Sequence, residues 1–258
     1  MTIPYHPLDA HTAHIVHFIF EWAGVLTGVQ LYRLLKKRHI ANSPTSPQAG
    51  DFFSPSNFAV IVGCILGAGI FNKILFVLEV PQAWQQYGVM SLALGQTIVG
   101  GLIGGWAGVE IAKKIVGVKH STGDLFVVPF CVGLIVGRIG CFVAGLHDGT
   151  YGVATGLPWG VDFGDGVIRH PTQVYDMLWC VAMLGLVKAY GKQWQAVSGL
   201  RFKVMFAGYL LWRLLVDGLK PVPHAYLFGW SAIQWACVIV LVGYLPLVIR
   251  DMARLKQQ

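Results

Sequence analysis

Stretch after stretch of this chain is apolar for about 20 residues, the length an α-helix needs to cross a hydrocarbon layer. The stretches run His14–Leu35, Asn57–Leu78, Leu94–Val116, Leu125–Gly145, Gln173–Tyr190, Val204–Leu219 and Gly229–Ile249. The expected architecture is an all-α integral membrane protein of seven transmembrane helices, forming one polytopic domain over residues 1–258. Composition agrees: 12% of residues are charged and 55% hydrophobic, with mean hydropathy +0.60. A water-soluble domain carries about 25% charged residues, and disordered chains lack this wealth of apolar and aromatic side chains. Met1–His14 has no basic run ahead of the first stretch, so that span is expected to stay rather than be cleaved as a signal peptide.

A net charge of +7 and a pI near 9.2 would also fit a nucleic-acid binder, so the placement of the charges decides. Arg33, Lys36, Lys37 and Arg38 follow the first span, and Lys113, Lys114 and Lys119 the third. Lys188, Lys192, Arg201 and Lys203 separate the fifth from the sixth, and Arg250, Arg254 and Lys256 end the chain. With seven spans these 14 of 19 basic residues share one side, facing only Arg169 and Lys220 on the other. Basic loops mark the cytoplasm. The N-terminus is therefore expected outside, the C-terminus inside, and the long segment of about residues 146–172 outside. Topology explains the basicity, and no nucleic-acid partner is expected. The Pro- and Ser-rich segment Asn42–Ser56 reads as a polar loop.

Several residues do not belong in lipid. Arg138 lies well inside the fourth span and Arg213 inside the sixth; an arginine at mid-membrane costs about 2.5–3.5 kcal/mol on insertion scales. Snorkelling to the interface is one reading, neutralisation by Glu21 or Asp217 another. A third is a buried anion, and in a membrane that means a lipid phosphate, which the planar guanidinium grips with two hydrogen bonds at once. Tyr209 shares a helical face with Arg213. Lys73 is expected to snorkel or to pair with a carboxylate. Gly100, Gly101, Gly104, Gly105 and Gly108 in the third span read first as close helix packing, and second as room for a ligand. Cys64, Cys131, Cys180 and Cys237 read as small buried apolar residues; there is no C-x-x-C pair and no histidine at metal spacing, so no metal site is expected. The outer loop ends in Arg169-His170-Pro171-Thr172-Gln173-Val174-Tyr175, with Thr172 placed to cap the fifth span.

These elements together resemble the prolipoprotein diacylglyceryl transferase family. The resemblance rests on Gly100-Gly101-Leu102-Ile103-Gly104, Gly137-Arg138-Ile139-Gly140-Cys141-Phe142 through Gly145, Arg169-His170-Pro171-Thr172-Gln173-Val174-Tyr175, and Gly208-Tyr209 with Arg213, in that order. Gln234 also looks like a family position. The family implies a bacterial cytoplasmic (inner) membrane enzyme with no cofactor. It moves the diacylglyceryl group of phosphatidylglycerol to the lipobox cysteine thiol of a prolipoprotein, releasing glycerol phosphate. By this resemblance Arg138 and Arg213 stabilise the phosphate, Tyr209 orients the headgroup or assists proton transfer, and His170 is a candidate base. Gly100, Gly101, Gly104, Gly137, Gly140, Cys141, Gly145, His147, Gln173, Tyr175 and Gln234 would surround the substrate.

The chain departs from the family pattern in four places. Val99 stands where a histidine is common, Cys141 and Ala144 where asparagines are, and Leu146 where a glutamate is. His147 and Asp148 lie just beyond. Cys141 is three residues from Arg138 and so faces the same way. The alternative to an enzyme is a non-catalytic member of the same fold that binds or moves anionic lipid.

Overall fold

The computed structural model describes residues 5–42 and 54–257. Most of the expected polar loop Asn42–Ser56, and the first four residues of the N-terminal stretch, lie outside them. Nine α-helices are present among the described residues: α1 Ala10–Asn42, α2 Pro55–Glu79, α3 Pro81–Tyr87, α4 Ser91–Leu94, α5 Ile98–Val116, α6 Val127–Ala144, α7 Thr172–Trp194, α8 Leu200–Val216 and α9 Ala232–Leu255. Five helical segments are long and apolar enough to cross a membrane, and a sixth is added if the bent pair Pro81–Leu94 and Ile98–Val116 counts as one span. Five or six such segments thus stand against the seven expected: α8, on which the sixth expected span falls, has only 17 residues and is not among them, and the third falls on α5, which follows a 66° bend from Pro81–Leu94.

Residue chemistry sets the helix ends. Ser54 accepts a hydrogen bond from the Asn57 amide at 3.4 Å and Pro55 opens α2, where its missing N–H costs nothing. Thr97 caps α5 by accepting from the Gly100 amide at 3.2 Å, and Gly117 closes it in the left-handed conformation, which glycine adopts without a Cβ penalty. Ser231 and Gln234 form a reciprocal capping box at the start of α9. Thr172 is not a cap. It is the first residue of α7, and its hydroxyl donates to the Thr150 carbonyl at 2.5 Å.

The chain folds as two compact units. The first comprises the chain up to Arg38, Gly123 to Met205, and Gly218 to Pro221. In it α1 lies against α6 so closely that a Cβ on Gly24 would stand 2.6 Å from the Gly133 carbonyl oxygen. The loop between α6 and α7 is ordered by a short antiparallel pair, β1 Val161–Asp162 with β2 Ile168–Arg169. The Asp162 carboxylate accepts from the amides of Gly164 (2.8 Å) and Gly166 (3.0 Å) across the turn. Phe163 is buried and packs edge-on against Tyr5 and Phe142, while the Tyr5 hydroxyl donates to the Val143 carbonyl at 2.7 Å.

An ion pair closes the same turn. Arg169 reaches Asp165 through both guanidinium nitrogens, at 2.6 and 2.7 Å, and lies over the Tyr151 ring at 5.2 Å. The hydrogen bonds from Arg169 hold the Asp165 carboxyl below its ordinary value of 3.8. A depressed carboxyl stabilises the turn above its unfolded pKa, and that contribution disappears as pH falls through the folded value. The loop should therefore resist limited proteolysis equally at pH 7 and pH 5 and become more susceptible only below about pH 4. Asp165→Asn should make it susceptible at pH 7. Equal cleavage of the wild-type and variant loops at pH 7 would show the pair to be idle.

The second unit comprises His39 to Thr122, Phe206 to Asp217 and the chain from Val222 onward. Its core contact is α2 against α5 through glycines. Cβ atoms on Gly63 and Gly100 would stand 2.5 Å from the carbonyl oxygens of Gly108 and Phe71, and added at Gly67, Gly104 or Gly108 they would overlap the facing backbone. The break between α4 and α5 leaves the Gly95 carbonyl outside any helix, and Lys73 of α2 donates to it at 2.9 Å. Lys73 therefore neither snorkels nor pairs with a carboxylate; it satisfies a backbone acceptor that lipid could not. Exposed Phe18, Ile19, Trp22 and Leu26 on α1, and Ile65, Leu66 and Ile70 on α2, are the broad apolar faces of helices whose solvent is lipid.

Candidate active site

Each unit carries one of the two buried arginines. In the first, Arg138 is 4% exposed, which removes snorkelling as an account of it. Its Nη2 meets the carboxylate of Asp176, a fully buried residue on α7, at 2.7 Å. Its Nη1 donates to Cys141 Sγ at 3.6 Å, so the expected shared face is real. Removing either partner of such a pair would strand a charge in a low-dielectric interior, a cost of about 3–5 kcal/mol. Thr172, Gln173, Asp176 and Cys180 follow one another down a buried stripe of α7. Both polar atoms of the Gln173 amide are buried without a hydrogen-bond partner.

A second polar group adjoins Cys141. His17 of α1 places Nε2 3.0 Å from Asp148 Oδ1, and Asp148 also accepts from the Thr150 hydroxyl. One donor atom each from His17, Cys141 and Asp148 lies within 4.8 Å of the others, close enough for the three to share a metal ion. Linear spacing showed no metal site, because the three ligands come from α1, α6 and the turn after α6. His147, by contrast, is exposed, with its ring 6.4 Å from that of His14.

His170 and Tyr175 form a separate group at the start of α7. His170 Nδ1 lies 3.2 Å from the Tyr175 hydroxyl, which also accepts from Trp159 Nε1 at 2.8 Å. Leu157, Trp159, His170, Tyr175 and Leu178 line an open apolar groove of about 520 Å³. Of the remaining expected site residues in this unit, Gly140 packs under Phe20, and Gly145 ends α6 at φ +60 beneath the Tyr5 hydroxyl. Nothing crowds a Cβ built on Gly137.

In the second unit Tyr209 is fully buried and Arg213 is 5% exposed, one helical turn apart. Arg213 Nη2 meets Asp217 Oδ1 at 2.6 Å, the neutralising partner that the sequence offered. Glu79, at the end of α2, accepts from the Ile233 amide at 3.0 Å. Gln234 is engaged in the α9 cap and donates to the Leu214 carbonyl at 3.3 Å. Gly100 and Gly104 lie within the α2 contact, whereas a Cβ on Gly101 would meet only the Asn72 side chain, at 3.8 Å. Cys131, Cys180 and Cys237 are buried free thiols and Cys64 is half-buried.

Sequence reading missed Asp176, Glu79 and His17, and gave Asp148 only as a neighbour. The signal was available. Any ionisable side chain within a membrane span is a site candidate, and the rule applies to carboxylates and imidazoles as much as to arginines.

The arrangement is two cationic groups fixed by carboxylates inside apolar helices, one of them beside a thiol and an imidazole. Comparison with known proteins points to one family. The sequence profile described as prolipoprotein diacylglyceryl transferase matches residues 14–250. The chain is similar to the phosphatidylglycerol–prolipoprotein diacylglyceryl transferase of Solidesulfovibrio magneticus, at 35% identity over 222 residues, covering 80% of this chain and 76% of that protein. It is 30% identical to the enzyme of the same name from Rhodospirillum centenum over 275 residues, covering 95% and 93%, and 29% identical to that of Leptothrix cholodnii over 263 residues, covering 88% and 90%. A profile that runs from the first membrane helix almost to the last residue of α9, through both buried arginines, places the whole chain in one lineage: it belongs to the prolipoprotein diacylglyceryl transferase family.

Proposed function

We propose that this protein transfers the diacylglyceryl group of phosphatidylglycerol to the lipobox cysteine thiol of a prolipoprotein, as a multi-pass protein of the bacterial cytoplasmic membrane. The observation that carries the reading is Arg138, a buried guanidinium oriented by Asp176 within a family match over residues 14–250. The reaction makes a carbon–sulfur bond and breaks the bond between glyceryl carbon and phosphate oxygen. Negative charge collects on the departing glycerol phosphate. Fixed cations lower that barrier because they need not reorient as the charge develops.

In this reading Arg138 stabilises the phosphate, while Arg213 and, on the same helical face, Tyr209 carry the roles that the family resemblance implies for them. Gln173, whose buried amide lacks a protein partner, binds a polar group of the lipid, and the apolar groove beside His170 and Tyr175 receives hydrocarbon. Gly137 and Cys141, on the helix that carries Arg138, border the headgroup. The distribution of basic residues supports seven spans with the N-terminus outside and the loop of about residues 146–172 on the extracytoplasmic face.

The test is direct. Purified protein in phosphatidylglycerol micelles is given a lipobox peptide, and mass spectrometry follows the peptide cysteine. The expected product is a diacylglyceryl thioether, absent when the peptide carries serine in place of cysteine. If the protein binds phosphatidylglycerol but forms no adduct, the enzyme reading fails and a lipid-binding member of the family remains.

A further inference from the structure

Three side chains from separate parts of the fold, one imidazole, one thiol and one carboxylate, do not converge in an apolar protein without consequence. Cys141 is 8% exposed, the Asp148 side chain 5% and the His17 side chain 33%. The cluster is therefore closed by protein on most sides and open at the imidazole. We propose that His17, Cys141 and Asp148 bind a divalent cation of the zinc class, leaving a fourth position for the acceptor thiol; the catalytic part of this proposal rests on the function proposed above.

The donor set selects the metal. Calcium and magnesium take oxygen ligands almost alone, whereas a mixed nitrogen, sulfur and oxygen set suits zinc. Three protein ligands with one open position are the pattern of a catalytic rather than a structural zinc. Zinc–nitrogen and zinc–oxygen bonds of about 2.0–2.2 Å at a tetrahedral angle put the two ligand atoms roughly 3.3–3.5 Å apart. The His17–Asp148 separation of 3.0 Å need widen only by a few tenths of an ångström to admit the ion.

Charge balance supports the same conclusion. A Cys141 thiolate and an Asp148 carboxylate bring two negative charges, which a divalent cation cancels. Arg138 and Asp176 cancel one another at 2.7 Å. With the ion bound and before the acceptor enters, the site is neutral, as a low-dielectric interior favours; the acceptor thiolate then adds one negative charge, which leaves with the reaction. Arg138 Nη1, 3.6 Å from Cys141 Sγ, is placed to donate to the metal-bound sulfur, and the Thr150 hydroxyl supports Asp148. Such outer contacts orient ligands and tune metal sites.

The chemistry gained is activation of the acceptor. A thiol coordinated to zinc is deprotonated outright, so the lipobox cysteine would bind at the fourth position and lose its proton to water. The thiolate then attacks the glyceryl carbon, the carbon–oxygen bond breaks, and the glycerol phosphate oxygen leaves with the bonding pair. The product thioether carries no charge, is a weaker ligand and departs.

Binding and catalysis are tested separately. Full-length protein is purified with a histidine-free affinity tag, loaded with zinc, and its metal content measured by mass spectrometry. About one zinc per chain is expected for the wild type. At least a tenfold loss of affinity is expected for His17→Ala, Cys141→Ala and Asp148→Asn, each checked for folding by its thermal transition in detergent. Cobalt loading of the wild type should give sulfur-to-cobalt charge-transfer absorption that Cys141→Ala lacks; this holds even if one alanine variant fails to fold, since Cys141→Ser provides a second sulfur-free protein. Zinc bound equally by Cys141→Ala, or no cobalt–sulfur band in the wild type, overturns the site. If zinc binds but chelation leaves lipid transfer unchanged, the thiol-activating role is overturned. A wild-type protein that binds zinc through Cys141 yet transfers no lipid would refute the function proposed above while the metal site stands.

Discussion

Arg138→Ala should reduce diacylglyceryl transfer by two to three orders of magnitude and also loosen the fold, and the two effects can be separated. Loss of a preorganised cation at a developing negative charge typically costs about 10²–10³ in rate. Independently, the variant strands the carboxylate of Asp176, which is fully buried, at a stability cost of about 3–5 kcal/mol. In Arg138→Ala with Asp176→Ala neither charge remains, and replacing both partners of a buried pair is far milder than removing one. The double variant should recover most of the lost thermal stability and none of the lost activity. Arg138→Lys should keep the ion pair yet remain slow, because a point charge cannot present the two parallel donors of the guanidinium. Transfer by the double variant within tenfold of wild type would show that Arg138 serves the fold and not the phosphate.

The second large effect concerns glycines. Gly104→Ala and Gly67→Ala should each lower stability by about 3 kcal/mol or more, the upper end of the range for overpacked sites, because each new Cβ would overlap backbone of the facing helix. Backbone cannot swing aside as a side-chain terminus can. For a chain of this size that is roughly a 6–12 °C fall in Tm. Gly101→Ala and Gly69→Ala are the internal controls: the first meets only the Asn72 side chain at 3.8 Å and the second meets nothing within 4 Å. Alanine also favours helix over glycine by about 1 kcal/mol, so both controls should be neutral or slightly stabilising. Thermal scans in one detergent compare all four. A Gly104→Ala protein as stable as Gly101→Ala would mean that α2 and α5 do not approach as closely as described.

Periodicity and hydropathy made the helices legible, since a run of about 20 apolar residues has little else to become in lipid. They could not show the 66° bend ahead of α5, beside which Lys73 meets a carbonyl 22 residues later in the chain. Nor could they order the outer loop, whose hairpin depends on one carboxylate taking two glycine amides. The arginines of the site announced themselves by their cost in lipid. Their partners divided: Asp217 stands one turn from Arg213, whereas Asp176 and Arg138 come from different helices, and His17 and Asp148 are 131 positions apart in the chain. Pairings across elements follow from packing, which a linear reading of residue types does not contain. Cys141 lay between the two cases, since its proximity to Arg138 follows from helical spacing alone while its neighbour His17 comes from α1.

The Lys73–Gly95 contact also bears on how the chain enters the bilayer. When α2 leaves the ribosome it carries an ammonium group in its apolar stretch, and the carbonyl that will receive it has not yet been synthesised. A lysine in a lone helix is penalised at insertion, by about 2.5–3.5 kcal/mol at the centre and by less toward the C-terminal end, where Lys73 lies, and the peptide groups of the Gly95–Thr97 break carry a penalty of their own. Each segment holds what the other lacks. The two are therefore best released into lipid as a hairpin, α2 waiting at the insertion machinery until α5 arrives, so that the order of synthesis becomes part of how the bent span is made.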